Sequence, residues 1–68
     1  EKRFWLHLGE NYIRLGKFKE AITPFEKLAE LDATDPAVWE RLVELYKNNG
    51  MSDKAKRASS KLAELSKS

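Results

Sequence analysis

The residue types that most often carry out catalysis are sparse in this 68-residue sequence. Cysteine is absent and His7 is the single histidine, which excludes most nucleophilic and metal-dependent mechanisms. No glycine-rich loop that could hold a phosphate is present. Glu40 and Glu44 lie one helical turn apart and could act as an acid–base pair. We interpret them as a solvated or groove-facing acidic stripe, and His7 as a surface or rim residue. We therefore expect no enzyme activity, no metal site and no cofactor.

The charge composition is typical of a solvated protein surface. Charged residues make up 35% of the sequence, both signs are interspersed, and the formal net charge is only +2. The longest apolar runs are a few residues, whereas a transmembrane helix needs about 20. We therefore expect no membrane span. A chain this short buries a thin core, so very regular helix packing or a partner must help to stabilise it.

The strongest signal is an internal repeat. When the sequence is shifted against itself by 34 residues, 11 of the 34 aligned positions are identical. Both tryptophans and both tyrosines of the chain fall in register. The identical pairs are Trp5/Trp39, Leu8/Leu42, Glu10/Glu44, Tyr12/Tyr46, Gly16/Gly50, Ala21/Ala55, Lys27/Lys61, Leu28/Leu62, Ala29/Ala63, Glu30/Glu64 and Leu31/Leu65. Self-similarity at this period is typical of proteins built from stacked repeats.

Apolar residues within each copy recur at three- and four-residue steps, which predicts amphipathic helices. Gly16 and Gly50 fall where helices must end, because glycine accepts the left-handed conformation of a helix C-cap. Asp35 and Pro36 form a typical helix start, an N-capping acid followed by proline at the first helical position. No segment alternates with period two, so the fold class is all-α. The predicted helices are 2–15, 18–31, 36–48 and 52–66.

The apolar stripes also predict which residues form the core. In the first helix the stripe consists of Phe4, Trp5, Leu8, Tyr12 and Leu15. In the second helix it begins at Phe18, and both tryptophans and both tyrosines are expected to pack in the core and not to stack on nucleic-acid bases. Pro24 lies inside the second helix, where it removes one backbone hydrogen bond. It should kink that helix or be confined to an exposed position.

These motifs resemble the tetratricopeptide repeat, a 34-residue unit with tryptophan, Leu-Gly, tyrosine, alanine and an aromatic at fixed offsets. The resemblance covers essentially the whole chain and implies two antiparallel helix hairpins stacked as a short right-handed α-solenoid. Residues 1–68 then form a single domain, with repeat one at 2–34 and repeat two at 36–68. The matching residues are Trp5, Leu8, Gly9, Tyr12, Gly16, Ala21 and Phe25 in the first copy and Trp39, Leu42, Tyr46, Gly50 and Ala55 in the second.

Two departures from the family pattern concern the packing of the second hairpin. Val43 stands where the first copy has Gly9, a small residue that lets two helices approach closely in this family. We expect Val43 to push the second hairpin slightly apart. Ser59 stands where the first copy has Phe25, so the last helix loses an aromatic anchor.

In the resembled family, the first helix of each repeat lines a concave groove that holds a partner. Leu6 and Ile13 are apolar residues outside the core stripe, so they either contact a partner or cover the edge of the core. Leu6, Glu10 and Ala37 replace the polar residues that the family uses to hold a peptide carboxylate, so we expect no such clamp. The groove positions carried over are Arg3, Leu6, Glu10, Ile13, Arg14, Ala37, Glu40, Glu44, Lys47 and Asn48.

The sequence thus predicts a protein–protein interaction module that presents a helical groove to a peptide or protein of basic or mixed charge. The alternative is a self-associating assembly unit, a homo-oligomer. A third reading uses Lys54, Arg57 and Lys61, which share one face of the last helix and could attract phosphate or an acidic partner. A solvated outer face is the preferred interpretation of these three cations, because repeat arrays need a polar end. We therefore do not expect a nucleic acid or a small-molecule substrate.

Overall fold

The computed structural model describes residues 2–67, and these form four α-helices with no strand among them. The predicted all-α fold is therefore confirmed. The first helix ends one residue earlier than predicted, at Arg14, and the last helix continues one residue further, to Lys67. The helices are α1 (Lys2–Arg14), α2 (Phe18–Leu31), α3 (Pro36–Asn48) and α4 (Ser52–Lys67).

α1 and α3 end, and α3 begins, at the capping residues that the sequence predicts. Gly16 and Gly50 have φ angles of +76° and +70°. These angles lie in the left-handed region, which often ends a helix and which glycine adopts at little energetic cost. At the start of α3, the backbone N–H of Ala37 donates to Oδ1 of Asp35 at 3.0 Å. This bond satisfies one of the free N–H groups of the first turn, as expected of an N-cap. The predicted cap and stops are therefore confirmed.

Each helix packs against its neighbours in sequence. α1 packs on α2 and α3 on α4, which gives two hairpins, and α2 packs on α3, which joins the hairpins. This arrangement is consistent with two stacked repeats. Within the described part of the chain, α1 makes no close backbone approach to α3. The surface between those two helices is therefore open.

A single apolar core runs through the hairpins. Phe25, Leu42 and Leu45 are its largest fully buried aliphatic and aromatic side chains. Tyr46 is buried, while the other aromatic residues of the repeat motif, Trp5, Tyr12 and Trp39, are half-buried and pack against the core. The buried apolar residues are Ala21, Ile22, Phe25, Leu28, Val38, Leu42, Leu45, Tyr46, Ala55 and Ala58.

Three members of the predicted core stripe are exposed, and for them the prediction was wrong. Phe4 is 60% exposed, Leu15 is 70% exposed and Phe18 is 39% exposed. Phe4 and Leu15 share the apolar stripe of α1 with Trp5, Leu8 and Tyr12, as the helical period predicts. They remain accessible because, within residues 2–67, α2 is the only helix that packs on α1.

Pro24 shows the opposite deviation. Its ring is less than 2% exposed, so of the two predicted outcomes, a kink or an exposed position, the exposed position was wrong. The α2 helix continues through it without interruption from Phe18 to Leu31. The missing N–H leaves the carbonyl of Glu20 without its usual partner, while the ring fills space in the core. Apolar burial here offsets the loss of one helical hydrogen bond.

The two hairpins differ in which helix carries the larger residue at one point of contact between their helices. In the first, a Cβ built on Gly9 would lie 2.5 Å from Cε2 of Phe25, so the aromatic ring occupies the space that a side chain would need. In the second, repeat register places Val43 and Ser59 at those two positions. A larger residue on one helix thus faces a smaller one on the other. The α3–α4 pair packs as extensively as the α1–α2 pair, so this exchange compensates for the loss of the glycine.

Candidate functional site

The open surface between α1 and α3 contains a concavity of about 250 Å³. Its lining combines α1, α2, the loop before α3 and the first two turns of α3. Three of the ten predicted groove residues meet here: Leu6, Glu10 and Ala37. The lining residues are Leu6, Glu10, Phe25, Asp35, Ala37, Val38 and Arg41.

The concavity has an apolar floor and a charged rim. Phe25 and Val38 are almost completely buried and close the floor, and Leu6, which is 38% exposed, forms one wall. Glu10 is exposed on the α1 side and Arg41 on the α3 side. Carboxylate and guanidinium groups therefore flank an apolar centre, and many binding sites combine an apolar centre with a few polar groups in this way.

Local interactions fix the first turn of α3 at this surface. The Asp35 cap defines where α3 begins, and so places Ala37 and Val38 opposite Leu6. Just before the cap, Oδ1 of Asp32 accepts a hydrogen bond from the Thr34 hydroxyl at 2.6 Å. Oδ2 of Asp32 also pairs with Nζ of Lys2 at 3.0 Å, which ties this loop to the start of α1. The Thr34 hydroxyl first, and then Lys2, lower the pKa of Asp32 to about 2.

Arg41 is an exposed charged residue of the concavity that the sequence prediction of the groove left out. It lies one turn after Ala37, so the helical period could have placed it on the same face. Its guanidinium Nη1 is 3.5 Å from Oε1 of Glu44, and both side chains are at least half exposed. An exposed pair of this kind contributes little to stability, about 0–1 kcal/mol. Arg41 is therefore free to turn towards a ligand at small cost.

The other predicted groove residues lie outside the concavity. Ile13 is half-buried and packs against the core, which favours the core-edge interpretation over a partner contact. Lys47 lines a separate concavity at the far end of the hairpin, beside Gly50 and Lys56. The remaining predicted residues are exposed on α1 and α3: Arg3, Arg14, Glu40, Glu44 and Asn48.

The polar atoms of Tyr46 and Trp39 are used inside the fold. The Tyr46 hydroxyl donates to Oε2 of Glu26 at 2.6 Å, which links α3 to α2. Burial of the phenol and its hydrogen bond to Glu26 raise the pKa of Tyr46 above its ordinary value. The indole N–H of Trp39 donates to the carbonyl of Ala33 at 2.8 Å. These contacts agree with the prediction that the repeat aromatics serve packing.

The three cations of the last helix line one concavity of about 400 Å³, together with Trp39 and Tyr46. Nζ of Lys54 is 3.9 Å from Oε2 of Glu26 and 5.8 Å from the centre of the Tyr46 ring. Lys54 therefore belongs to the contact between α2, α3 and α4 and does not simply point to solvent. Arg57 is exposed and Lys61 is half-buried along the same line.

Two further observations concern the described residues 2–67. They contain no group of three or more histidine, cysteine or acidic side chains placed to hold a metal ion. None of their helices is both long enough and apolar enough to cross a bilayer.

Two stacked antiparallel hairpins with a 34-residue period define a helical repeat protein. A family model described as Tetratricopeptide repeat matches residues 2–45, which is the first hairpin and most of α3. The chain belongs to the tetratricopeptide repeat family. A comparison with curated proteins gave no match. Repeats of this family generally act in protein interactions and not in catalysis. Family membership therefore indicates a protein-interaction or scaffold role.

Proposed function

We propose that the concavity between α1 and α3 binds a short segment of a partner protein. The observation that carries this proposal is the meeting of Leu6 and Glu10 from one repeat with Ala37 and Arg41 from the next around a buried apolar floor. A site assembled from both repeats needs the stacked fold, and it opens on the side where α1 and α3 stand apart.

The size and charge of the concavity suggest what it accepts. Its volume of about 250 Å³ is below the 300–1,000 Å³ that is typical of sites for drug-sized molecules. It therefore suits one apolar side chain of a peptide better than a separate small-molecule substrate. Glu10 would face a basic neighbour of that side chain, and Arg41 an acidic one. The ligand is then a peptide of mixed charge with an apolar anchor.

The experiment is a selection of random-sequence displayed peptides against the intact chain, followed by affinity measurements on the selected peptides. We expect them to share an apolar residue flanked by charges. Leu6→Glu should weaken their binding at least tenfold, because it places a carboxylate in the apolar wall. Glu10→Lys should select against peptides with a basic residue beside the anchor. Lys56→Ala, at the far end of the chain, is the control and should leave affinity unchanged.

The groove variants also separate lost binding from lost folding. Leu6 and Glu10 are exposed, so their replacement should leave helicity and the unfolding temperature close to those of the parent. Peptides that bind Leu6→Glu as tightly as the parent chain would contradict the proposal. If affinity changes neither with added salt nor with charge reversal at Glu40 and Glu44, the prediction of a charged ligand is contradicted.

Self-association remains the alternative prediction. It is checked by light scattering over a wide concentration range, with helicity followed on the same samples. A species larger than the monomer that loses helix on dilution would make assembly part of the fold.

A further inference from the structure

A second cleft lies between α2 and α4, over α3. Within residues 2–67, α2 and α4 make no close backbone approach to each other, although both pack on α3. The space between them has a volume of about 400 Å³, larger than the 250 Å³ of the concavity between α1 and α3. We call it the α2–α4 cleft. Glu26 lines its α2 side, Trp39 and Tyr46 its floor, and Lys54, Arg57 and Lys61 its α4 side.

The floor of the α2–α4 cleft is aromatic. Trp39 is half-buried, and its indole N–H donates to the carbonyl of Ala33 at 2.8 Å. Tyr46 is 7% exposed, and its hydroxyl donates to Oε2 of Glu26 at 2.6 Å. The polar atoms of both side chains are therefore already used within the fold. What the floor offers to a ligand is apolar ring surface, chiefly the accessible part of Trp39.

The three cations of the α4 side differ in how far their charge is used within the fold. Nζ of Lys54 is 3.9 Å from Oε2 of Glu26, so these two charges partly offset each other. Arg57 and Lys61 make no hydrogen bond or ion pair with any other residue among 2–67. Their charges therefore remain available to a ligand. The planar guanidinium of Arg57 can hold a carboxylate through two parallel hydrogen bonds.

The repeat indicates that packing does not require these cations. Lys54 stands 34 positions after Glu20, and Arg57 stands 34 positions after Thr23. Of the three cations only Lys61 repeats a cation of the first copy, whereas the tryptophan and tyrosine of the floor recur in both copies. The helix as a whole is also the most basic of the four. It carries five cationic and two acidic residues, a net charge of +3 against +2 for the entire chain.

Acidic residues in the cleft limit what can bind there. Beyond Trp39 the cleft continues along α2 to Glu30, which is exposed. A nucleic acid carries a negative charge on every phosphate, so part of its backbone would face Glu26 or Glu30. A protein segment can place carboxylates only where cations lie. Arg57 and Lys61 are four residues apart, or about 6 Å along the helix axis, a distance that two carboxylates of one short peptide can match.

We infer that the α2–α4 cleft binds an acidic protein segment, as a second site beside the concavity between α1 and α3. Two carboxylates of the segment pair with Arg57 and Lys61, and an apolar side chain between them lies on Trp39. The two sites are separate because Trp39 lies on the opposite side of α3 from Ala37 and Arg41. Two residues along an α-helix correspond to a rotation of about 200°.

The test uses a fluorescein-labelled peptide in which four glutamates surround a central leucine. Its affinity for the intact chain is measured by fluorescence anisotropy at low salt. Arg57→Glu should weaken binding at least tenfold, because it removes a cation and places a carboxylate beside those of the peptide. Lys56→Glu is the matched control and should weaken binding less than threefold. It makes the same change of charge at the neighbouring exposed residue, which lines the far-end concavity and not this cleft.

Further measurements separate this cleft from the concavity between α1 and α3 and from lost folding. Arg41→Glu makes the same change of charge in that concavity and should leave the affinity for the acidic peptide within threefold. Replacing the central leucine of the peptide by glycine should weaken binding, because Trp39 loses its apolar contact. Arg57 is exposed, so Arg57→Glu should keep the helicity and unfolding temperature of the parent. Arg57→Gln, which only removes the charge, should weaken binding less than Arg57→Glu.

Two results would overturn the site. One is no binding of the acidic peptide at low salt. The other is a loss of affinity in Lys56→Glu or Arg41→Glu as large as that in Arg57→Glu, because the peptide would then respond to overall charge or bind elsewhere. The peptides selected for the concavity between α1 and α3 are tested through Leu6→Glu, so failure of one proposal leaves the other intact.

Two other results would overturn the choice of ligand. An oligothymidine strand of equal charge that binds more tightly than the peptide, and loses affinity in Arg57→Glu, would make the cleft a nucleic-acid site. A dimer of the parent chain by light scattering that Arg57→Glu dissociates would show that a second copy of this chain fills the cleft.

Discussion

Gly9→Ala should destabilise the protein, although alanine is the better helix former. Replacing glycine in a helix interior by alanine normally stabilises by about 1 kcal/mol. Here the new methyl carbon would lie 2.5 Å from Cε2, 2.9 Å from Cδ2 and 3.1 Å from Cζ of Phe25. Ordinary carbon–carbon contacts are about 3.5–4.0 Å, so the ring would have to move by roughly 1 Å. Phe25 is 1% exposed, and moving its ring towards the neighbouring concavity would break the contacts that hold it in the core.

Overpacking of this kind costs about 1–3 kcal/mol, which includes the local rearrangement. The 2.5 Å approach puts this site in the upper part of that range, about 2–3 kcal/mol, and subtracting the propensity gain of about 1 kcal/mol leaves an expected net loss of stability of about 1–2 kcal/mol. In a domain of this size that corresponds to a fall in the unfolding temperature of about 4–8 °C per kcal/mol. The assay is urea unfolding followed by circular dichroism, with the midpoint and slope fitted together.

A double-mutant cycle tests the steric cause. Phe25→Leu removes ring atoms at the contact, so Gly9→Ala should cost less in that background than in the parent. Gly16→Ala is the matched control. Its Cβ would meet nothing within 4 Å, and its cost comes from the backbone angle of +76°. Phe25→Leu should therefore not relieve Gly16→Ala. A Gly9→Ala protein as stable as the parent, or a coupling energy of zero with Phe25→Leu, would refute the steric argument.

Two further predictions concern the helix cap and the buried tyrosine. Asp35→Ala should cost about 1 kcal/mol in urea unfolding, because the N–H of Ala37 loses its acceptor, whereas Asp53→Ala in the first turn of α4 should cost less. Tyr46 has a pKa raised by burial and by Glu26, so its contribution to stability is complete below about pH 10, the pKa of an unfolded tyrosine, and is lost as the pH rises above it. Tyr46→Phe should therefore be less stable than the parent at pH 7 but lose less stability between pH 9 and pH 11. Parallel pH dependence in the two proteins would contradict the assignment.

Part of the candidate site follows from the family resemblance, but its centre does not. Three of the ten groove positions carried over from the family, Leu6, Glu10 and Ala37, line the concavity. Phe25 and Val38 are buried core residues, and nothing in their spacing indicates that they also form the floor of the concavity. That depends on the distance between α1 and α3, which is set by how both helices pack on α2.

The sequence by itself determined the local structure of this protein. Helix ends follow from backbone angles and hydrogen bonds within a few residues, so Gly16, Gly50 and Asp35 were sufficient to place them. The 34-residue identities revealed the repeat, and the resemblance of its motifs to the tetratricopeptide repeat implied the family and the pairing of helices.

Only the tertiary structure decided which apolar residues are buried. Phe4 and Leu15 lie on the correct stripe of α1 and are exposed, whereas Pro24 breaks a helical rule and is enclosed. Burial requires two surfaces that face each other. The apolar pattern within one helix specifies one of these surfaces and not the other. The other surface depends on which helix stands opposite, and none of the described helices covers Phe4 and Leu15.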